Sequence, residues 1–171
     1  MIELWAQLHD LFDTDDGSLP DLVVENLSSA QVVTIYQWVR SLCDVYTDDG
    51  EPTLWHCEQE RDVPITSLDS PAQLIISGRA KSFRHGLAEL SISGIVIPQL
   101  TVAVSPNTIE FDYRMGLEWG PSELDALFDF LWSVQQLAPT ATISHSYEGD
   151  SKPTQIFARL WDEFKLGKSA T

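Results

Sequence analysis

From residue 100 to residue 138 the spacing of apolar positions changes from two to about 3.6, the signature of a strand-rich stretch giving way to a helix. A short apolar run at 101–105 leads into the turn residues Pro106, Asn107 and Thr108. Ile109, Phe111 and Tyr113 then alternate with Glu110, Asp112 and Arg114, the pattern of a half-buried strand. Gly120-Pro121 ends that strand and opens a helix, because proline suits a first helical turn. Leu124, Leu127, Phe128, Leu131, Val134 and Ala138 fall on one face of it.

The same reading predicts helices over residues 2–12, 30–43, 122–138 and 154–165, with Ser28 or Ser29 capping the second. Strands are expected at 22–27, 53–58, 73–78, 87–93, 100–105, 109–115 and 141–147. In the strand at 53–58, Trp55 and Cys57 are assigned to one side and His56 to the other. Residues 58–70 read as irregular, and residues 165–171 as a fraying tail. Arg79, Lys81, Arg84 and His85 form a basic cluster assigned to a hairpin connection. The helices at 30–42 and 122–134 align with an offset of 92, and each precedes a strand bearing Thr-x-x-His, at Thr53/His56 and Thr142/His145. That echo raises a strand–helix–strand repeat. The fold class is α+β: a single domain over 1–171, with a mainly antiparallel sheet of about 5–7 strands. The two central helices, each with a single apolar stripe, pack on one face of that sheet.

Composition adds one strong fact. The formal net charge is −16, and it is uneven: residues 1–70 hold 15 acids against 2 bases, the remainder 11 against 8. A field of that sign repels phosphate backbones and anionic membrane surfaces, so neither nucleic acid nor membrane is an expected partner. It favours encounter with a basic protein. The two cysteines, Cys43 and Cys57, make no disulfide framework and read as buried reduced thiols. The start of the chain lacks the basic and apolar regions of a signal peptide, and no apolar run approaches a membrane span, so the expected location is cytoplasmic.

Familiar catalytic motifs are missing from the sequence. There is no phosphate-binding glycine loop, no His-Glu-x-x-His helix, no Cys-x-x-Cys pair and no Gly-x-Ser-x-Gly elbow. Residues 13–17 look like the start of a calcium loop, but glycine falls at position five and Val24 stands at position twelve. No metal or cofactor is therefore expected.

Two constellations remain. The acids Asp13, Asp15, Asp16, Asp44, Asp48, Asp49 and Glu51 lie in two turns and suit a basic partner. Arg114 and Trp119, in a glycine-bracketed strand-to-helix connection, add a contact loop; a packing role for Trp119, with Arg114 paired to Asp112 or Glu110, is the competing account. The other constellation is catalytic: His56 and His145, on neighbouring strands, with Glu58 or Glu148 as an acid–base pair. No nucleophile or oxyanion site accompanies them, which favours a binding protein over an enzyme. In charge, size and fold class alone the chain resembles small acidic proteins that block a basic partner, such as bacterial toxin-immunity proteins. No motif carries that likeness, and it implies no site residue. The expectation is a non-enzymatic binding module or inhibitor; the alternatives are a small enzyme built on the histidines, or a structural subunit that self-associates.

Overall fold

A computed structural model describes residues 3–147 and 151–170. In chain order the elements are α1 (Leu4–Leu8) with a 3-10 turn at His9–Leu11, β1 (Asp21–Glu25), α2 (Ser29–Leu42), β2 (Asp44–Tyr46), β3 (Thr53–His56) and β4 (Arg61–Pro64). There follow α3 (Pro71–Ile76), β5 (Phe83–Ala88), β6 (Ser91–Ile92), β7 (Ile95–Val96), β8 (Leu100–Val104), β9 (Ile109–Tyr113), α4 (Pro121–Leu137), β10 (Thr142–Ser146) and α5 (Ser151–Ser169). Six strands form one antiparallel sheet in the order β10-β1-β9-β8-β5-β2, and β3–β4 and β6–β7 are separate hairpins. The fold is single-domain α+β, as the apolar pattern predicts.

Two side-chain rows on opposite faces explain the architecture. His145, Leu22, Phe111, Val102 and His85 are successive cross-strand partners. All five are buried, because α2, α4 and α5 cover that face. Tyr36 of α2 meets Phe83 edge-on at 5.1 Å, Phe130 of α4 meets Phe111 at 5.0 Å, and Phe157 of α5 stacks on His145 at 5.1 Å. Trp38 stacks on Phe130 at 5.5 Å, locking α2 to α4 on the same side. The opposite row is Ser146, Asp21, Asp112, Thr101, Gly86 and Tyr46, and it is polar. Period two places these residues on the face away from the helices.

Local chemistry explains the main helices. Ser28 Oγ accepts from the Gln31 amide at 3.3 Å and the Ser28 amide donates to Gln31 Oε1 at 2.8 Å, a capping box that starts α2. Gly120 and Pro121 start α4, whose predicted apolar face is fully buried.

Several expectations need correction. Residues 73–78 are not a strand: Pro71 opens a short helix there, and Ala72 and Ile75 supply its buried side. A run as short as Leu74-Ile75-Ile76 does not distinguish helix from strand by periodicity. The run at 87–93 is split between β5 and β6 by a turn at Glu89, whose φ is +56°. Residues 58–70 include β4, and β2 was not anticipated at all. In β3 Trp55 and His56 lie on opposite sides, as the alternation assigns them, and it is the side of Leu54 and His56 that is buried, with Trp55 exposed. The first helix is shorter than 2–12, and the tail does not fray at 165: α5 runs on to Ser169, with Lys168 paired to Asp129 at 2.6 Å. Arg84 and His85 lie within β5 rather than in a connection. The internal echo stops at its helices, since β10 joins the main sheet and β3 does not. Both thiols are half-buried and free.

Candidate functional site

The polar row forms the floor of a cleft, and two turns rise beside it. In the first turn Asp15 Oδ1 accepts from the Gly17 amide at 2.9 Å, and Asp16 Oδ1 accepts from the Ser18 amide at 2.9 Å and hydroxyl at 2.6 Å. Gly17 sits at φ +83°, a conformation that favours glycine. Asp16 also accepts from the Tyr147 hydroxyl, and the bonds from Ser18 and Tyr147 hold its carboxyl down at about 2. In the second turn, the Thr47 hydroxyl donates to Gly50 O at 2.6 Å and the Gly50 amide to Thr47 O at 3.3 Å, which leaves Asp48 and Asp49 exposed at the tip.

These turns converge. Asp15 and Asp48 line one cavity of about 300 Å³, together with Leu19, Thr101, Asp112 and Arg114. Gln99 and Arg114 extend its wall into a larger depression of about 650 Å³ that includes Asp13 and Leu117. On the other side Thr101, Asp48 and Gln99 are shared with a hollow of about 220 Å³ bounded by Tyr46 and Arg84. The three form a trough along the open face. Gly86 makes room for it: a Cβ there would lie 2.6 Å from the Tyr46 ring.

Asp112 is the unusual member of the floor. It is 4% exposed, and its Oδ2 accepts from Arg84 Nη1 at 2.6 Å. Its Oδ1 has no hydrogen-bond partner, and neither has the buried hydroxyl of Thr101, its direct cross-strand neighbour. Burial pushes the Asp112 carboxyl up, against the opposing pull of Arg84, and Asp21 pushes the same way as burial.

The other anticipated residues are dispersed. Arg114 pairs with Asp15 at 3.4 Å, and Arg84 takes the place at Asp112 and Glu110 that the sequence offers to Arg114. Trp119 belongs to the core and not to a contact surface: it is 4% exposed, packs on Phe12 and Tyr113, and its Nε1 donates to the Arg114 carbonyl at 2.8 Å. Leu117, 93% exposed, is what that loop offers to solvent. Asp13 pairs with His9 at 3.4 Å, Asp44 is exposed at the start of β2, and Glu51 accepts from the Thr66 hydroxyl at 2.5 Å. His9, Asp10 and Asp13 bring three ligand-type atoms within 4.8 Å of one another, a partly exposed group in which His9 Nδ1 lies 3.1 Å from Asp10 and 3.4 Å from Asp13.

The two histidines are not brought together. His145 lies in the main sheet and His56 in the β3–β4 hairpin. His56 is 3% exposed, and its Nδ1 accepts from the Gln59 amide at 3.4 Å. Glu58 pairs with Arg79 at 3.1 Å, and Glu148 lies outside the described residues. His145 Nε2 is 2.9 Å from the Tyr113 hydroxyl, which also donates to the Leu11 carbonyl at 3.0 Å. With that hydroxyl hydrogen used, Nε2 must carry the ring proton, and Nδ1 is left as a bare acceptor without a partner. Burial lowers this imidazole to about 4.

The architecture is thus a two-layer α+β domain with a polar trough on its uncovered sheet face. The chain matches no protein-family model, no curated protein and no solved structure. Among the described residues no helix is long and apolar enough to cross a membrane.

Proposed function

We propose that this chain is a non-enzymatic binding module, an inhibitor or regulator of a basic protein. One observation carries the reading: the acidic turns at 13–16 and 48–49, remote in sequence, meet at the same trough, where Asp15 and Asp48 line one cavity. Adjacent exposed acids add their fields, and a cleft with low-dielectric walls focuses them. Such a field acts on the rate of encounter more than on residence time. No histidine or cysteine lines the 300 Å³ cavity, and the two main-sheet histidines, His85 and His145, are buried in packing contacts, which favours recognition over catalysis.

The partner is to be captured from native extract at low and high salt, and its association followed by stopped flow. Replacing Asp15, Asp16, Asp48 and Asp49 together with asparagine preserves an acceptor oxygen at each turn, so the fold should stay intact. Association should slow about tenfold or more, and the unmodified protein should lose a similar factor as salt rises. An association rate indifferent to both changes would confine the acidity to solubility and end this reading.

A further inference from the structure

The floor of the 300 Å³ cavity has hydrogen-bonding capacity that the chain itself does not use. Asp112 is buried to better than nine-tenths, with one oxygen on Arg84 and the other unpartnered. Thr101 Oγ1, beside it across the β8–β9 ladder, is also unpartnered. A buried acceptor without a donor is costly, and native chains retain few of them without a ligand, an ion or a water to satisfy them. At the rim, Asp48 forms no ion pair among the described residues, while Asp15 is partly answered by Arg114. The buried oxygens therefore call for a hydrogen-bond donor, and the unpaired Asp48 at the rim favours an N–H donor that carries positive charge.

We propose that this cavity is the receptor for a lysine side chain of the basic partner. This rests on the function proposed above and names its anchor point. The choice of ammonium over guanidinium follows from the acceptor geometry. A guanidinium is held best by both oxygens of one carboxylate, in a two-pronged bond. The buried carboxylate here cannot offer that, because Arg84 already occupies Oδ2. An ammonium has three N–H donors and needs three separate acceptors. Asp112 Oδ1, Thr101 Oγ1 and the Asp48 carboxylate, which belong to three residues lining one cavity, are three such acceptors. The aliphatic stem would lie along Leu19, which is 58% exposed and on the same wall. Both unpartnered atoms are shielded from solvent, so entry requires a side chain to swing. Gln99 and Arg114 are exposed members of that wall, and exposed rotamers exchange in picoseconds to nanoseconds.

The test uses the whole chain and a capped Gly-Lys-Gly peptide, with its arginine and acetyl-lysine counterparts as controls. Amide NMR shifts of Thr101 and Asp112 are followed during titration. The lysine peptide should give saturable shifts there in the millimolar range typical of a single anchored side chain, about fivefold tighter than the arginine peptide, with none from acetyl-lysine. Thr101→Val, which exchanges the hydroxyl for a methyl group of similar size, and Asp112→Asn should each weaken binding about fivefold or more. Circular dichroism checks that each variant is folded, and Thr101→Val carries the test if Asp112→Asn is not. Absent saturation, equal binding of the arginine peptide, or an affinity untouched by Thr101→Val would overturn the lysine site. Those outcomes leave the salt-dependent association of a basic protein standing, so the two proposals fail separately.

Discussion

Gly86 and Asp112 show how single positions on the open face acquire their meaning only from neighbours distant in sequence. Gly86 has an ordinary backbone conformation, and its lack of a side chain matters because the Tyr46 ring lies where a Cβ would be. Gly86→Ala should destabilise the chain by about 1 kcal/mol, at the low end of overpacking costs because a half-buried ring can tilt away. In a Tyr46→Ala background the same substitution should be nearly neutral, and a double-mutant cycle by urea denaturation checks the coupling. Equal effects in both backgrounds would mean the close approach is not what Gly86 serves. None of this is visible in the sequence, because β2 is three residues long and carries no alternation to detect. Asp112 was legible as a strand residue on the polar side, with the appearance of a solvated acid. The trough walls around it include residues about 64 to 97 positions earlier in the chain, from Asp48 back to Asp15. Trp119 illustrates the opposite error. Two flanking glycines gave it the look of an exposed loop residue, yet its indole N–H finds the Arg114 carbonyl and its ring joins the core.

Elements with a long, single-faced period were readable, and short ones were not. α4 and β9 were placed to within a residue or two because their apolar positions repeat several times and Gly120-Pro121 punctuates them. α2 was equally clear, and its start depends on a specific device. Ser28→Ala removes the side-chain acceptor for the Gln31 amide and should cost about 1 kcal/mol, measured as a lower urea midpoint with unchanged slope. Because α2 carries Tyr36, whose hydroxyl is 2.8 Å from His85 Nε2, weakening the helix start should leave that buried contact, about two turns further along, intact. Loss of His85 protection in the variant would show that the cap sets the position of the whole helix and not merely its first turn. α3 and β4 were misread for a common reason: runs of four to six residues hold too few repeats to reveal a period, and proline ends one and begins the other. The β6–β7 hairpin adds a two-residue loop, Ser93-Gly94, with both residues at positive φ.

The charge asymmetry is a property of the entire chain, and of the features behind the proposed function it is the most legible in the sequence, because net charge can be counted before any fold is known. What could not be counted was the meeting of the two acidic turns, which depends on β2 joining the sheet beyond β5. The same global charge complicates the response to acid. Lowering the pH relieves repulsion among excess acids, which stabilises the compact state, and salt screens that contribution. The buried histidines act in the opposite direction. His85 donates from Nδ1 to the Gly86 carbonyl at 2.7 Å, so its neutral Nε2 accepts from Tyr36, and burial is the main cause that lowers it. His145 is lowered from 6.5 to about 4 by burial. A histidine depressed in the folded state binds fewer protons there than when unfolded, so stability rises with pH across the interval between its two values. The His145 contribution should be complete above about 6.5, decline as the pH falls and be gone near 4, a loss of about 3 kcal/mol at ~1.4 kcal/mol per pH unit. His145→Gln keeps an N–H for Tyr113 and does not titrate. At high salt, where the acids contribute least, the natural chain should therefore lose about 3 kcal/mol more than His145→Gln between pH 7 and pH 4, read from urea denaturation at each pH. Parallel stability profiles for the two proteins would mean that His145 reaches water in the folded state, and that the row joining it to Leu22, Phe111, Val102 and His85 is not closed at that edge.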